Sequence, residues 1–203
     1  MEPAGVLIPQ PKAMPNNFLT IGLCGRDYER LEEAGKEDFD EVDMSTIVNA
    51  NFCELALRMP DELRSIVASE PDKTRYKHKQ TGETWGDCNG PTGDDRDQWE
   101  AVKLTAEEIA GLIAKYGAIN WFDWCVDNWG TKWGTYGTKF YELGGDGSPI
   151  LIEFQTAWSP PLPKVMRMID DYICKTYFLK DIKWLGHEPY DNTAVEIEID
   201  EAK

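Results

Sequence analysis

Two apolar runs parted by a glycine-rich break, KFYEL-GGDGSP-ILIEFQTAW, limit the fold of this chain more than any other stretch. Phe140 and Tyr141 lie in one run, Ile150 to Phe154 in the other, and Gly144 to Gly147 supply the turn between them. The stretch reads as a β-hairpin, and a hairpin makes its two strands antiparallel.

Helical patterns stand on both sides of it. Upstream, LTAEEIAGLIAKYG carries a capping box in Thr105 and Glu108, an apolar stripe of Ile109, Leu112, Ile113 and Tyr116, and a terminal Gly117. Downstream, SPPLPKVMRMIDDYI opens on prolines and spaces Val165, Met166, Ile169 and Ile173 along one helix face.

The rest of the chain fits around these elements. Asn17 to Gly25 reads as a first strand, and Tyr28, Leu31 and Ala34 mark a short helix after it. The apolar stretch Phe52 to Met59 reads as a second strand. Pro60 then starts a short helix with Asp61 and Glu62 in its first turn, where acids suit the helix dipole. KTYFLKDIKWLG supplies a last core strand. Residues 1–16 are proline-rich and read as a loose arm, and residues 70–99, rich in Gly, Asp and Thr, as an irregular insertion in a single domain spanning 17–186. The tail, 187–203, alternates Val195, Ile197, Ile199 with Glu196, Glu198, Asp200, the pattern of a half-buried strand with an acidic outer face. Strands and helices mix without regular alternation, which predicts an α+β fold: an antiparallel sheet with helices on one face.

Charge narrows the partners. The chain carries 37 acidic and 21 basic residues, a net charge of −16. Such a surface repels nucleic acid and anionic membranes and favours basic partners. No window approaches the length of a membrane span, and the N-terminus lacks the basic and apolar regions of a signal peptide. The five cysteines (Cys24, Cys53, Cys88, Cys125, Cys174) form no C-x-x-C pair, which fits a reducing cytoplasm and indicates no zinc site.

Catalytic signals are sparse. The two histidines, His78 and His187, stand far apart, and no nucleophile elbow, phosphate loop or H-E-x-x-H motif is present. Asp94, Asp95 and Asp97 lack the glycine and distal glutamate of an EF-hand and read as a solvated turn. A site built on Asp123, Asp127 and His187 is the enzyme alternative; the residues favour a chain without catalytic residues, cofactor or metal.

The segment DWCVDNWGTKWGTYGTK sets Trp124, Trp129 and Trp133 beside Gly130, Gly134 and Gly137. Two readings follow. The tryptophans anchor a tight turn in the core, with Lys132 paired to Asp127 or stacked on a ring. Alternatively Trp129, Lys132, Trp133 and Trp158 form a platform for a small ligand or a nucleic acid. The anchored turn is the stronger reading, because only Lys132 and Lys139 stand there to meet phosphates.

WGTKW (Trp129 to Trp133) followed by Phe154, Thr156 to Trp158, Pro160 and Pro161 resembles the YubB-type family of ferredoxin-like domains encoded by phages and plasmids. Met14 to Asn16 and LRMPDEL, Leu57 to Leu63, resemble further elements of that family. The resemblance covers residues 14–186. It implies a ferredoxin-like sandwich and a mobile genetic element, and no established activity, cofactor or catalytic residue. With the charge, it raises the expectation of an anti-CRISPR or anti-restriction protein. Such a protein occupies the basic groove of a host nucleic-acid-binding complex by mimicry, in the host cytoplasm. The acids expected to make contact are Glu37, Asp38, Asp40, Glu41 and Asp43, then Asp94, Asp95 and Asp97, then Glu196, Glu198 and Asp200. On a strand such a row repeats every ~6.6 Å. The competing reading of each run is a solvated loop or an edge strand charged against aggregation.

Overall fold

The computed structural model of the chain describes residues 18–67, 74–86, 90–144, 149–187, 195–197 and 199; at Asp94, Asp95, His187 and Val195 the description is of the backbone. The arm 1–16, the turn residues 145–148, Cys88, Glu198 and Asp200 lie outside the described residues.

The fold is mixed α+β around an antiparallel sheet. Its strands are β1 (Phe18–Arg26), β4 (Tyr136–Glu142), β5 (Ile150–Thr156), β6 (Leu179–His187) and the two-residue β7 (Val195–Glu196), in the order β4-β5-β1-β6-β7. A separate two-stranded ribbon pairs β2 (Thr74–His78) with β3 (Trp99–Lys103). The helices are α1 (Tyr28–Glu33), α2 (Phe52–Ala56), α3 (Asp61–Arg64), α4 (Ala106–Tyr116), α5 (Trp121–Trp129) and α6 (Pro163–Tyr177).

Period-two alternation sets the register. Phe18, Thr20 and Cys24 on β1, and Ile150, Ile152, Phe154 and Thr156 on β5, point into the core. β5 pairs antiparallel with β1 from Phe18↔Thr156 to Cys24↔Ile150, and β4 pairs with β5, so the predicted hairpin forms. On the other side of the sheet, Leu23, Tyr141 and Leu185 are exposed. α6 covers the core face with Val165, Met166, Ile169 and Ile173, the four residues expected, joined by Tyr177. Pro163 opens this helix, and Phe178, in the left-handed conformation, closes it. Phe52 of α2 fills the space beneath, edge-on to Phe154 at 6.0 Å between centroids and tilted against Tyr172 at 6.4 Å.

Several expectations are corrected. Phe52–Met59 is no strand: Asn51 accepts from the Glu54 backbone N–H and starts α2, so the apolar run buries one helical side, Phe52 and Cys53. Residues 70–99 are not irregular throughout, since they hold β2 and end at β3. The first part of the tryptophan-rich segment, Asp123 to Trp129, is in helix α5 rather than turn. The capping box of α4 is present, but of its stripe only Leu112 is buried, and Ile113 is exposed. That stripe has the helical period without a full partner surface. In the tail Val195 and Glu196 pair with β6, the Ile197 N–H still donates to the Trp184 carbonyl at 3.0 Å, and Ile197 and Ile199 pack on the core.

Candidate functional site

The site grows from a rigid frame. Asn120, fully buried, caps α5 by accepting from the Asp123 N–H at 3.0 Å and donating to its carboxylate at 2.6 Å. α5 then turns Trp124, Cys125 and Trp129 inward, the two indoles edge-on at 5.4 Å. The Trp129 indole N–H donates to the Leu57 carbonyl at 2.8 Å. Trp129 is therefore an anchor, and it is withdrawn from the predicted ligand set.

Gly130 ends the helix at φ 79°, where a Cβ would stand 2.7 Å from Leu162 Cγ. Gly134 lies so close to the Asn51 side chain that no Cβ fits. Thr131, Thr135 and Thr138 in this stretch are buried, and their hydroxyls replace secondary structure. Thr135 Oγ1 accepts from the Phe52 N–H at 2.6 Å, and Thr138 Oγ1 donates to the Ala50 carbonyl at 2.7 Å. Thr131 Oγ1 accepts from the Ala157 N–H at 3.2 Å and has the carbonyls of Trp133 (2.9 Å) and Ala157 (3.0 Å) within reach of its proton. The G-T-K-W-G-T-Y-G-T rhythm thus locks a loop against α2 and the strand end after β5.

This frame holds two rings outward. Trp133 and Trp158 are each 41% exposed. Trp158 has φ 74°, and the Ser159 N–H donates back to the Ala157 carbonyl at 3.0 Å, so Trp158 is the central residue of a γ-turn of the rare, strained kind. The turn is clamped on every side. Besides the Thr131 bonds, Thr156 Oγ1 donates to the Ser159 carbonyl at 2.6 Å and Ser159 Oγ donates to the Gly130 carbonyl at 2.9 Å. A bulky residue forced into positive φ at an exposed bend points to function rather than to packing.

Lys132 lies between the rings, its Nζ 4.5 Å from the Trp133 centroid and 6.0 Å from that of Trp158. Its partner is thus a ring and not Asp127. Phe122 of α5 backs Trp158 edge-on at 6.1 Å. The Trp133 side chain also hydrogen-bonds the Tyr136 phenol, whose pKa burial nevertheless raises. Of the predicted set, Lys132, Trp133 and Trp158 come together. Phe122, which backs Trp158, had no sequence signal until α5 was seen to be a helix.

The acidic residues are held differently. Asp38 and Asp43 each cap a 3-10 turn, accepting from the N–H groups of Asp40 (2.9 Å) and Ser45 (3.1 Å). Glu41 accepts from the Glu37 N–H at 2.9 Å. These carboxylates shape the loop, yet all five acids from Glu37 to Asp43 remain exposed. Glu37 also borders an open hollow of about 570 Å³ with Tyr28, Leu31, Glu32, Gly35 and Lys36. Asp97 is exposed in a 3-10 turn with Asp94 and Asp95, and Glu196 is exposed at the sheet edge. The three acidic runs are on separate elements.

Of the enzyme alternative, Asp123 is engaged by Asn120, Asp127 follows one turn later on α5, and the His187 side chain lies outside the described residues. Among the described residues no three His, Cys, Asp or Glu side chains converge to hold a metal ion. Burial pushes the Cys24 and Cys53 thiols up to about 12 and Cys174 to about 11, so all three stay protonated at neutral pH. Compared with known proteins, the chain is matched by no family model, no curated protein and no solved structure.

Proposed function

We propose that this chain is a non-catalytic binding protein that grips a basic partner through the Trp133–Lys132–Trp158 surface, with its net charge of −16 drawing that partner in. The observation that carries this reading is Trp158, an exposed indole kept in a strained γ-turn by four neighbours. Exposed tryptophans are the residues most often found as interface hot spots. The order β4-β5-β1-β6, with α6 between β5 and β6, supports a ferredoxin-like reading of the sheet. With the W-G-T-K-W and T-A-W-S-P-P segments, it supports kinship with the phage and plasmid YubB-type domains. On that reading the partner is a host nucleic-acid-binding defence complex of the CRISPR or restriction type. The exposed acids of Glu37 to Asp43 then mimic part of its nucleic acid.

A second reading, a module that stacks a nucleobase or another small flat ligand on the two indoles, is favoured by their exposure and opposed by the charge. For nucleic acid, the segment from Asp123 to Lys139 carries only Lys132 and Lys139 to neutralise phosphates.

The test is capture from host lysate at low and high salt, with the wild type beside Trp158→Gly and a Glu37→Lys/Asp40→Lys double variant. The expected result is a basic nucleic-acid-binding complex kept at low salt, released by salt and competed by DNA. Both variants lose it. If no basic protein is kept at low salt, the reading fails.

A further inference from the structure

We propose that Trp133 and Trp158 form a cage for a single cationic side chain of the partner, an arginine or lysine, and that Lys132 occupies this cage as a built-in stand-in until the partner displaces it. The proposal deepens the reading of this surface as the binding face and rests on it.

Three observations support it. The first is the position of the Lys132 ammonium, over one indole at 4.5 Å and within 6.0 Å of the other. The faces of indole rings carry negative quadrupole charge and attract cations of this kind. The second is what Lys132 does not do. The chain has 37 acidic residues, yet among the described residues Lys132 forms no ion pair, whereas Lys36, Lys115, Lys139, Lys175 and Lys180 each meet a carboxylate. Lys77, Lys79, Lys164 and Lys183 also meet no carboxylate among the described residues, so what sets Lys132 apart is that its ammonium lies over two indole rings. The third is rigidity. The cage walls stand on a loop fixed by Thr131, Thr135 and Thr138 and on a γ-turn clamped by Thr156 and Ser159. The aromatic surface is set in place before any partner arrives, so little ordering cost remains at binding.

Lysine is the residue suited to such a stand-in. Its charge sits at the end of a flexible stem, so the head can swing into water while the backbone at 132 stays fixed. Arginine suits the displacing role, since its planar guanidinium stacks on aromatic faces and is more weakly hydrated. The exchange conserves charge in the cage and releases the Lys132 ammonium to solvent, and no bond is made or broken.

The experiment is a titration of the ¹⁵N-labelled full chain with N-acetyl-arginine amide, followed through the indole N–H signals of the tryptophans. The neutral isostere N-acetyl-citrulline amide is the control. In the wild type the arginine derivative shifts the Trp133 and Trp158 signals and the citrulline derivative does not. Lys132→Met, which empties the cage, lowers the midpoint by about fivefold, the order of one exposed cation–π contact. Lys139→Met removes the same charge from outside the rings and leaves the midpoint unchanged. Trp158→Gly suits φ 74°, keeps the fold and abolishes the shifts. The cage is overturned if the citrulline derivative binds equally well. It is also overturned if Lys132→Met and Lys139→Met behave alike, or if the shifts appear at other tryptophans. Should Trp158→Gly still lose the lysate partner while the arginine derivative fails to bind the wild type, the binding face stands and the cage chemistry falls.

Discussion

The six-membered ring of Trp184 fills the space that a side chain on Gly22 would need: a Cβ at position 22 would stand 2.6 Å from Trp184 Cζ3. The two residues are register partners on β6 and β1. The same indole donates from Nε1 to Asp170 on α6 at 2.5 Å, so one side chain ties the central strand, its neighbour and the covering helix together. Gly22→Ala therefore forces the ring to move in a packed core. The expected loss is about 1–3 kcal/mol, read as a fall in the urea midpoint. Gly35→Ala, with open space around it but φ 74°, carries backbone strain alone and loses less, about 1 kcal/mol.

Asp170 makes stability depend on pH in an unusual direction. Burial raises its carboxyl pKa above the ordinary value, against the lowering effect of the Trp184 bond. A raised acid pKa means that the folded state holds the proton more tightly than the unfolded chain. This contribution therefore falls as pH rises from the unfolded carboxylate range through the folded pKa. Asp170→Asn keeps an acceptor for the indole without the buried charge. It should match or exceed the wild type at pH 7, and the gap should close in acid. Equal losses for the variant at both pH values would refute this account.

The Thr20 hydroxyl is fully buried and has no hydrogen-bond partner among the described residues. Val has nearly its shape without the polar group. Thr20→Val is expected to stabilise the fold by about 1–3 kcal/mol, the usual cost of an unsatisfied buried hydroxyl. A calorimetric Tm at or below that of the wild type would show that the hydroxyl has a use.

Trp129 and Trp133 are four residues apart and should behave oppositely. Trp129→Ala opens a cavity beside Trp124 and leaves the Leu57 carbonyl unpaired, for a loss of about 3–5 kcal/mol. Trp133→Ala changes an exposed ring and should stay within about 1 kcal/mol in the same denaturant assay.

Much of the frame was legible in the residues. Val165, Met166, Ile169 and Ile173 gave α6 because their spacing matches a helix buried on one side. The runs on either side of Gly144 gave the hairpin because period two leaves few alternatives there. The misses have physical causes. Phe52–Ala56 is too short for a period to appear, and the signal that decides it is a cap, Asn51. In α5 the apolar residues surround Asn128 and Asp127, and the glycines after Gly130 hid a helix that ends there. Lys132, Trp133 and Trp158 were all named from the sequence, but their juxtaposition was not legible there. Lys132 and Trp133 adjoin in sequence, and Trp158 is brought to them by the Thr131 bonds to Ala157 and the Ser159 bond to the Gly130 carbonyl, contacts across 26 and 29 residues that no local pattern contains.

The sheet order also sets a schedule for synthesis. β1 leaves the ribosome first among the described strands, yet its neighbours in the finished sheet are β5 and β6, which begin at Ile150 and Leu179. At ordinary elongation rates, Phe18 to Arg26 waits roughly 6–25 s before residue 150 is even made. Through that interval the strand destined for the middle of the sheet travels with both backbone edges unpaired. A nascent chain stopped before Ile150 holds neither sheet partner of β1, and it becomes a client for chaperones rather than a folding intermediate.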